Sequence, residues 1–157
     1  MNQGEIEERG KYEEDSEWFD GKLDSPLFGQ ELGLRILREE GKDRISDKQI
    51  RIVNDFLDLK KAWIPHIKTL LFSHFEECVG CYEEGEFDEI KNPDDAFREA
   101  KLDYLLIWET DAWKGRAANI CFDVEWEMEH GISVVLYDGV LKGAHEISHY
   151  YFEYEKR

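Results

Sequence analysis

The chain has 157 residues, of which 41% are hydrophobic, 13% aromatic and 36% charged, and its formal net charge is -17. That size and apolar content exclude a disordered chain and suit one domain with a sizeable core. The acidic excess excludes nucleic acid and anionic membrane as expected partners, because both repel it, and favours a basic protein, a cation or plain solvation.

No apolar run is long enough to span a bilayer, and the N-terminus lacks a signal-peptide core. Three cysteines, an odd number, argue against a disulfide framework and for a reducing cytoplasm. Residues 1–17 hold Glu5, Glu7, Glu8, Glu13, Glu14, Asp15 and Glu17 against Arg9 and Lys11. They are expected to be an acidic flexible tail, with residues 18–157 as one domain.

Trp18-Phe19 is expected to begin the first ordered strand. Leu32, Leu34 and Ile36 alternate with other residues in a second, and Ser25-Pro26 and Gly29 punctuate the gap. Ser46-Asp47-Lys48-Gln49 has the form of a capping box, followed by Ile50, Val53, Phe56 and Leu57 at helical spacing. Pro65 should break or kink that helix, and a second helix carries Ile67, Leu70, Leu71, Phe75 and Cys78. Residues 76–95 hold nine acids (Glu76, Glu77, Glu83, Glu84, Glu86, Asp88, Glu89, Asp94 and Asp95) against Lys91, the pattern of an exposed connection. Asn92-Pro93-Asp94-Asp95 then starts a short helix, with Asn92 as cap and Pro93 at the first helical position. Tyr104 to Trp108 reads as a buried strand, and a meander follows over 119–147.

The richest segment is Phe122 to Gly139. Phe122, Val124, Trp126 and Met128 alternate with Asp123, Glu125, Glu127 and Glu129, a period of two that predicts a strand with one buried and one wet face. A three-residue loop, Glu129 to Gly131, would pair Met128 with Ile132, Trp126 with Val134 and Val124 with Leu136, placing all the apolar side chains together. Asp138-Gly139 is a strong two-residue turn signal. If the last strand is regular, Leu141, Gly143, His145 and Ile147 continue the buried face. Strands, then helices, then a meander predict an α+β fold: an antiparallel β-sheet meander with a helical hairpin and a short third helix packed on one face.

Asp123, Glu125, Glu127 and Glu129 would then form a row of carboxylates spaced about 6.6 Å apart. Such a row suits a basic partner. It also fits a hard cation, an inverting carboxylate pair, or a ladder with basic side chains such as Lys142. His145-Glu146-Ile147-Ser148-His149 matches H-E-x-x-H, which on a helix binds zinc with the glutamate as general base. Here it follows a hairpin turn and leads into Tyr150-Tyr151-Phe152, and on a strand the two imidazoles lie roughly 13 Å apart, too far for one ion. A small zinc-dependent hydrolase using His145, Glu146 and His149 is therefore the alternative, and it requires a helix across 142–152. Cys78-Val79-Gly80-Cys81 is a lone C-x-x-C at a helix C-terminus, with Gly80 as cap and no second pair for zinc. Of the tryptophans, Trp113 sits in a polar stretch and is expected to be the most exposed.

The stretch W-E-M-E-H-G-I-S-V-V-L-Y-D-G-V-L-K-G, Trp126 to Gly143, resembles a bacterial family of uncharacterised small domains that carry a W-x-x-E-H-G hairpin and then a D-G turn. Trp126, Glu129, His130, Gly131, Asp138 and Gly139 occupy the motif, and the resemblance covers most of residues 18–148. It implies kinship with the immunity proteins that protect bacteria from polymorphic and contact-dependent toxins, and it carries over no catalytic residue. The expectation is a cytoplasmic, non-enzymatic acidic protein without cofactor or metal, whose acidic face at Asp123, Glu125, Glu127 and Glu129 meets a basic protein, plausibly a toxin domain. A structural or regulatory adaptor is the further alternative.

Overall fold

Alternation at Leu32, Leu34 and Ile36 buries one side of a strand, and that strand is the third of seven in one sheet among the described residues. The computed structural model describes residues 1–108 and 110–146. In chain order the elements are α1 (Gln3–Glu7), β1 (Gly10–Tyr12), β2 (Trp18–Ser25), β3 (Gln30–Leu37), α2 (Asp47–Leu57), α3 (Ile64–Val79), α4 (Pro93–Glu99), β4 (Lys101–Ile107), β5 (Ala117–Asp123), β6 (Ile132–Tyr137) and β7 (Val140–His145). The sheet follows sequence order from β1 to β7. Every pairing is antiparallel except β3 with β4, where Gly33 to Ile36 run parallel to Tyr104 to Ile107. The α+β class read from the sequence is the one observed.

Local signals act as their chemistry dictates. Ser46 Oγ accepts from the Gln49 amide, and the Gln49 side chain accepts from the Ser46 amide, closing the capping box of α2. Pro65 lies in the first turn of α3, where its missing N–H costs nothing. Asn92 Oδ1 caps α4 by accepting from Asp95. α3 packs beside α4, and Lys68 reaches Asp94 at 2.7 Å. Side chains of α2 and α3, among them Ile52, Phe56, Ile67 and Leu71, share one apolar core with Phe19, Leu34, Ile36, Leu105, Ile120, Phe122, Val134 and Leu136 of the sheet. A smaller cluster of Ala117, Val135 and Tyr137, with Trp108 and Trp113 against it, lies apart from that core.

Three expectations are corrected. The first concerns residues 1–17, which are built into the fold rather than forming a tail. α1 closes its own capping box through Asn2 and Glu5, and Ile6 is 0% exposed. The terminal amine donates to Asn54 Oδ1 at 2.6 Å, and Gln3 donates to the Ile45 carbonyl. Gly10 to Tyr12 pair with Phe19 to Gly21, so the ordered sheet starts before Trp18. Backbone ladders need no apolar composition, which is why an acid count misses them.

The second correction is the register of β5 on β6. Phe122 pairs with Ile132, Ile120 with Val134 and Ala118 with Leu136. The expected partners of these β6 residues were Met128, Trp126 and Val124, six positions further on. The shift is even, so the same faces remain buried. β5 ends at Asp123, and Glu125–Glu127 form a 3-10 turn in place of a continued strand. Ala118, Ile120 and Phe122 already fill the core side of the ladder, which frees Trp126 to pack elsewhere.

The third is the buried face of β7. A bulge after Val135 pairs Leu136 with Leu141 but Val135 with Gly143 and Ser133 with His145. Ala144, opposite Val134, and not Gly143, therefore continues the core side. Ile147 lies outside the described residues. The Asp138-Gly139 turn forms as expected, with φ of 49° and 79°, the two positive values a type I′ turn requires.

Candidate functional site

The connection from Val124 to Gly131 links two central strands and holds the motif Trp126, Glu129, His130 and Gly131. Its anchor is Trp126, which is 0% exposed. The indole stands edge-on to Phe75 of α3, with centroids 5.3 Å apart, and donates to His74 Nδ1 at 3.2 Å. That bond fixes the neutral His74 tautomer with its proton on Nε2. Burial lowers the His74 pKa, against the opposing pull of Glu77, Glu127 and Glu146. Gly131, at φ 65°, donates from its backbone to the Glu127 carbonyl at 2.9 Å and closes the connection.

With Trp126 drawn inward, its neighbours are pushed out. Met128 is 83% exposed, the most exposed large hydrophobic side chain described. Asp123, Glu125 and Glu129 are exposed, and none of them is in an ion pair among the described residues. The four carboxylates read as one row are not a row. Asp123 and Glu125 border a groove of about 230 Å³ shared with Glu99, Lys101, Val124 and Met128. Glu127 turns the other way and meets His130 Nδ1 at 3.2 Å. Glu129 and His130 border a second groove of about 510 Å³, whose other walls are Trp18, Arg35, Tyr104, Leu106 and Trp108.

Sequence reasoning missed that second groove. Its signal was an arginine inside an apolar alternation: Arg35 pairs with Asp20 at 3.0 Å and lies over the Trp18 ring at 4.6 Å. On the same face, burial raises the Tyr104 hydroxyl to about 12 and pushes the Cys121 thiol up, so neither ionises at neutral pH.

His145 ends β7 opposite Ser133, so residues 142–145 are strand and not the helix that a zinc-binding H-E-x-x-H needs. Glu146 follows, with Oε2 4.0 Å from His130 Nδ1. His149 lies outside the described residues. Ligand atoms of Glu127, His130 and Glu146 all fall within 4.8 Å of one another. Cys78, Cys81 and Cys121 are free thiols. Cys78 is half-buried with a raised pKa caused by that burial, and its sulfur lies 3.7 Å from His74 Nδ1. Gly80 is the C-cap of α3, in a right-handed conformation.

These features define an α+β domain with an acidic corner beside a half-buried thiol–imidazole contact, Cys78 to His74. The model of a domain of unknown function, DUF6985, matches residues 7–150, and the chain belongs to that family. No curated protein and no solved structure matches the chain. No helix among the described residues is long and apolar enough to cross a membrane.

Proposed function

We propose that this protein is a non-enzymatic binding protein that captures a basic protein partner, in the manner of a bacterial immunity protein occluding a toxin domain. The observation that carries the reading is Met128: a large apolar side chain, 83% exposed, bordering one groove with exposed Asp123 and Glu125 and followed in sequence by exposed Glu129. An apolar anchor with an acidic rim is the form of a protein interface whose partner is basic. A net charge of -17 adds long-range steering, which speeds encounter with such a partner and weakens with salt.

The test is capture with immobilised protein from a mixture of basic, neutral and acidic candidate toxin domains, beside a Glu125→Lys/Met128→Asp/Glu129→Lys variant. A basic domain held by the wild type and released by the variant, with retention falling between about 50 and 300 mM salt, is the expected result. A partner bound equally by both proteins would move the interface elsewhere. Capture of acidic or neutral domains only would overturn the reading.

A further inference from the structure

We propose that Glu127, His130 and Glu146 form a binding site for a divalent transition-metal ion of the zinc type, which staples the 124–131 connection to the end of β7. The three donors come from separate places: the 3-10 turn, the residue before Gly131 and the residue after β7. His130 Nδ1 lies 3.2 Å from Glu127 Oε1 and 4.0 Å from Glu146 Oε2, and all three donors fall within 4.8 Å. Around one ion with bonds of about 2.0–2.2 Å, neighbouring tetrahedral donors stand about 3.4 Å apart. The His130–Glu127 pair already has that spacing, and Glu146 needs to close by on the order of 1 Å, which a side-chain rotation supplies.

The donor set is more than an acidic surface. One imidazole nitrogen lies between two carboxylates, and among the described residues neither carboxylate has an ion-pair partner other than His130. A mixed nitrogen and oxygen set of this kind selects zinc-type ions over calcium or magnesium, which prefer oxygen alone. Glu127 is held at its post by the adjacent Trp126, wholly buried and bonded to His74. With three protein donors, a fourth position stays open to water. The site uses Glu146 as a ligand and leaves out His145 and His149, so it differs from the H-E-x-x-H pairing. It does not depend on the partner reading above.

The experiment is calorimetric titration of the untagged, chelator-treated full chain with zinc chloride at pH 7.5, with calcium and magnesium chloride as controls. The expected result is one saturable zinc site, weakened more than about tenfold in His130→Ala and in Glu127→Gln/Glu146→Gln. Binding should persist in His145→Ala/His149→Ala and in Cys78→Ser/Cys81→Ser. At a hundredfold excess over Kd, zinc should raise the wild-type Tm by about 8 °C. Cobalt(II) on the wild-type protein gives a readout free of folding effects: paramagnetic shifts should centre on the His130 imidazole. Absence of saturable binding, binding unaffected by the His130 and glutamate variants, loss with the cysteine pair, or shifts centred on another residue would each overturn the proposal.

Discussion

The indole nitrogen of Trp126 donates to His74 Nδ1 at 3.2 Å, joining the loop before β6 to the middle of α3 through two buried side chains. An imidazole that accepts at Nδ1 cannot carry a proton there. Protonation of His74 therefore removes the acceptor and leaves a buried donor without a partner.

This bond sets a pH dependence. The folded His74 pKa lies below its ordinary value because of burial, so the folded state binds fewer protons there than the unfolded chain. Its contribution to stability is complete above about pH 6.5, the ordinary imidazole value, and is lost as pH falls from there toward the lowered folded value. Denaturant midpoints from pH 7.5 to 5 should fall more steeply for the wild type than for His74→Gln, whose amide oxygen still accepts but does not titrate in this range. Parallel curves would remove His74 from the account.

Trp126 and Met128 are two residues apart and should respond oppositely to truncation. Trp126→Ala opens a cavity against Phe75 and strands His74, and should cost about 3–5 kcal/mol. Met128→Ala removes a side chain facing water, and should change stability by less than about 0.5 kcal/mol. Urea unfolding of the two variants is the check. The register expected from alternation, with both residues on one strand face, requires similar losses.

Gly10 tests whether the N-terminal segment belongs to the sheet. A Cβ there would run into the backbone of Asp20 and Gly21 across the β1–β2 ladder. Gly10→Ala should cost about 1–3 kcal/mol as an overpacked contact and speed amide exchange over 10–12. An unpaired tail would register neither change.

Ser46→Ala removes the acceptor for the Gln49 amide at the start of α2. The Ser46 hydroxyl also donates to Glu39 Oε1 at 2.7 Å. The expected loss is about 1 kcal/mol, read from the denaturation midpoint, and Ser46→Thr, which keeps both the acceptor and the donor, should retain most of the wild-type stability.

Signals confined to a few neighbouring residues were legible in the sequence. Ser46 with Gln49, Asn92 with Pro93, and Asp138 with Gly139 each carry their own geometry, and each forms. The register of β5 on β6 was not legible. Ala118, Ile120 and Phe122 run into Val124, Trp126 and Met128 with unbroken parity, so alternation cannot say which three meet Ile132, Val134 and Leu136. Phe75 and His74, some fifty positions away, decide it by holding Trp126. The row of acids dissolved for the same reason, because a 3-10 turn spreads consecutive glutamates around its axis whereas a strand aligns alternate ones. Arg35, Tyr104 and Trp108 come together only through the β3–β4 pairing and the face it creates, which no local pattern announces.

That parallel pairing also shapes how the chain finds its fold. Six strand junctions join the sheet, and five are spanned by short connections; Ile36 and Ile107 meet across 71 positions of sequence (107 - 36). Each doubling of a closed loop costs about 0.6 kcal/mol, so this closure exceeds that of the two-residue Asp138-Gly139 turn by on the order of 3 kcal/mol. The described strands thus form two antiparallel ladders, β1–β3 and β4–β7, that meet along one parallel seam. Long-range closure of this kind slows folding, so substitutions along Leu34, Ile36, Leu105 and Ile107 should lower the refolding rate more than equally destabilising ones within either ladder, as read by stopped-flow refolding.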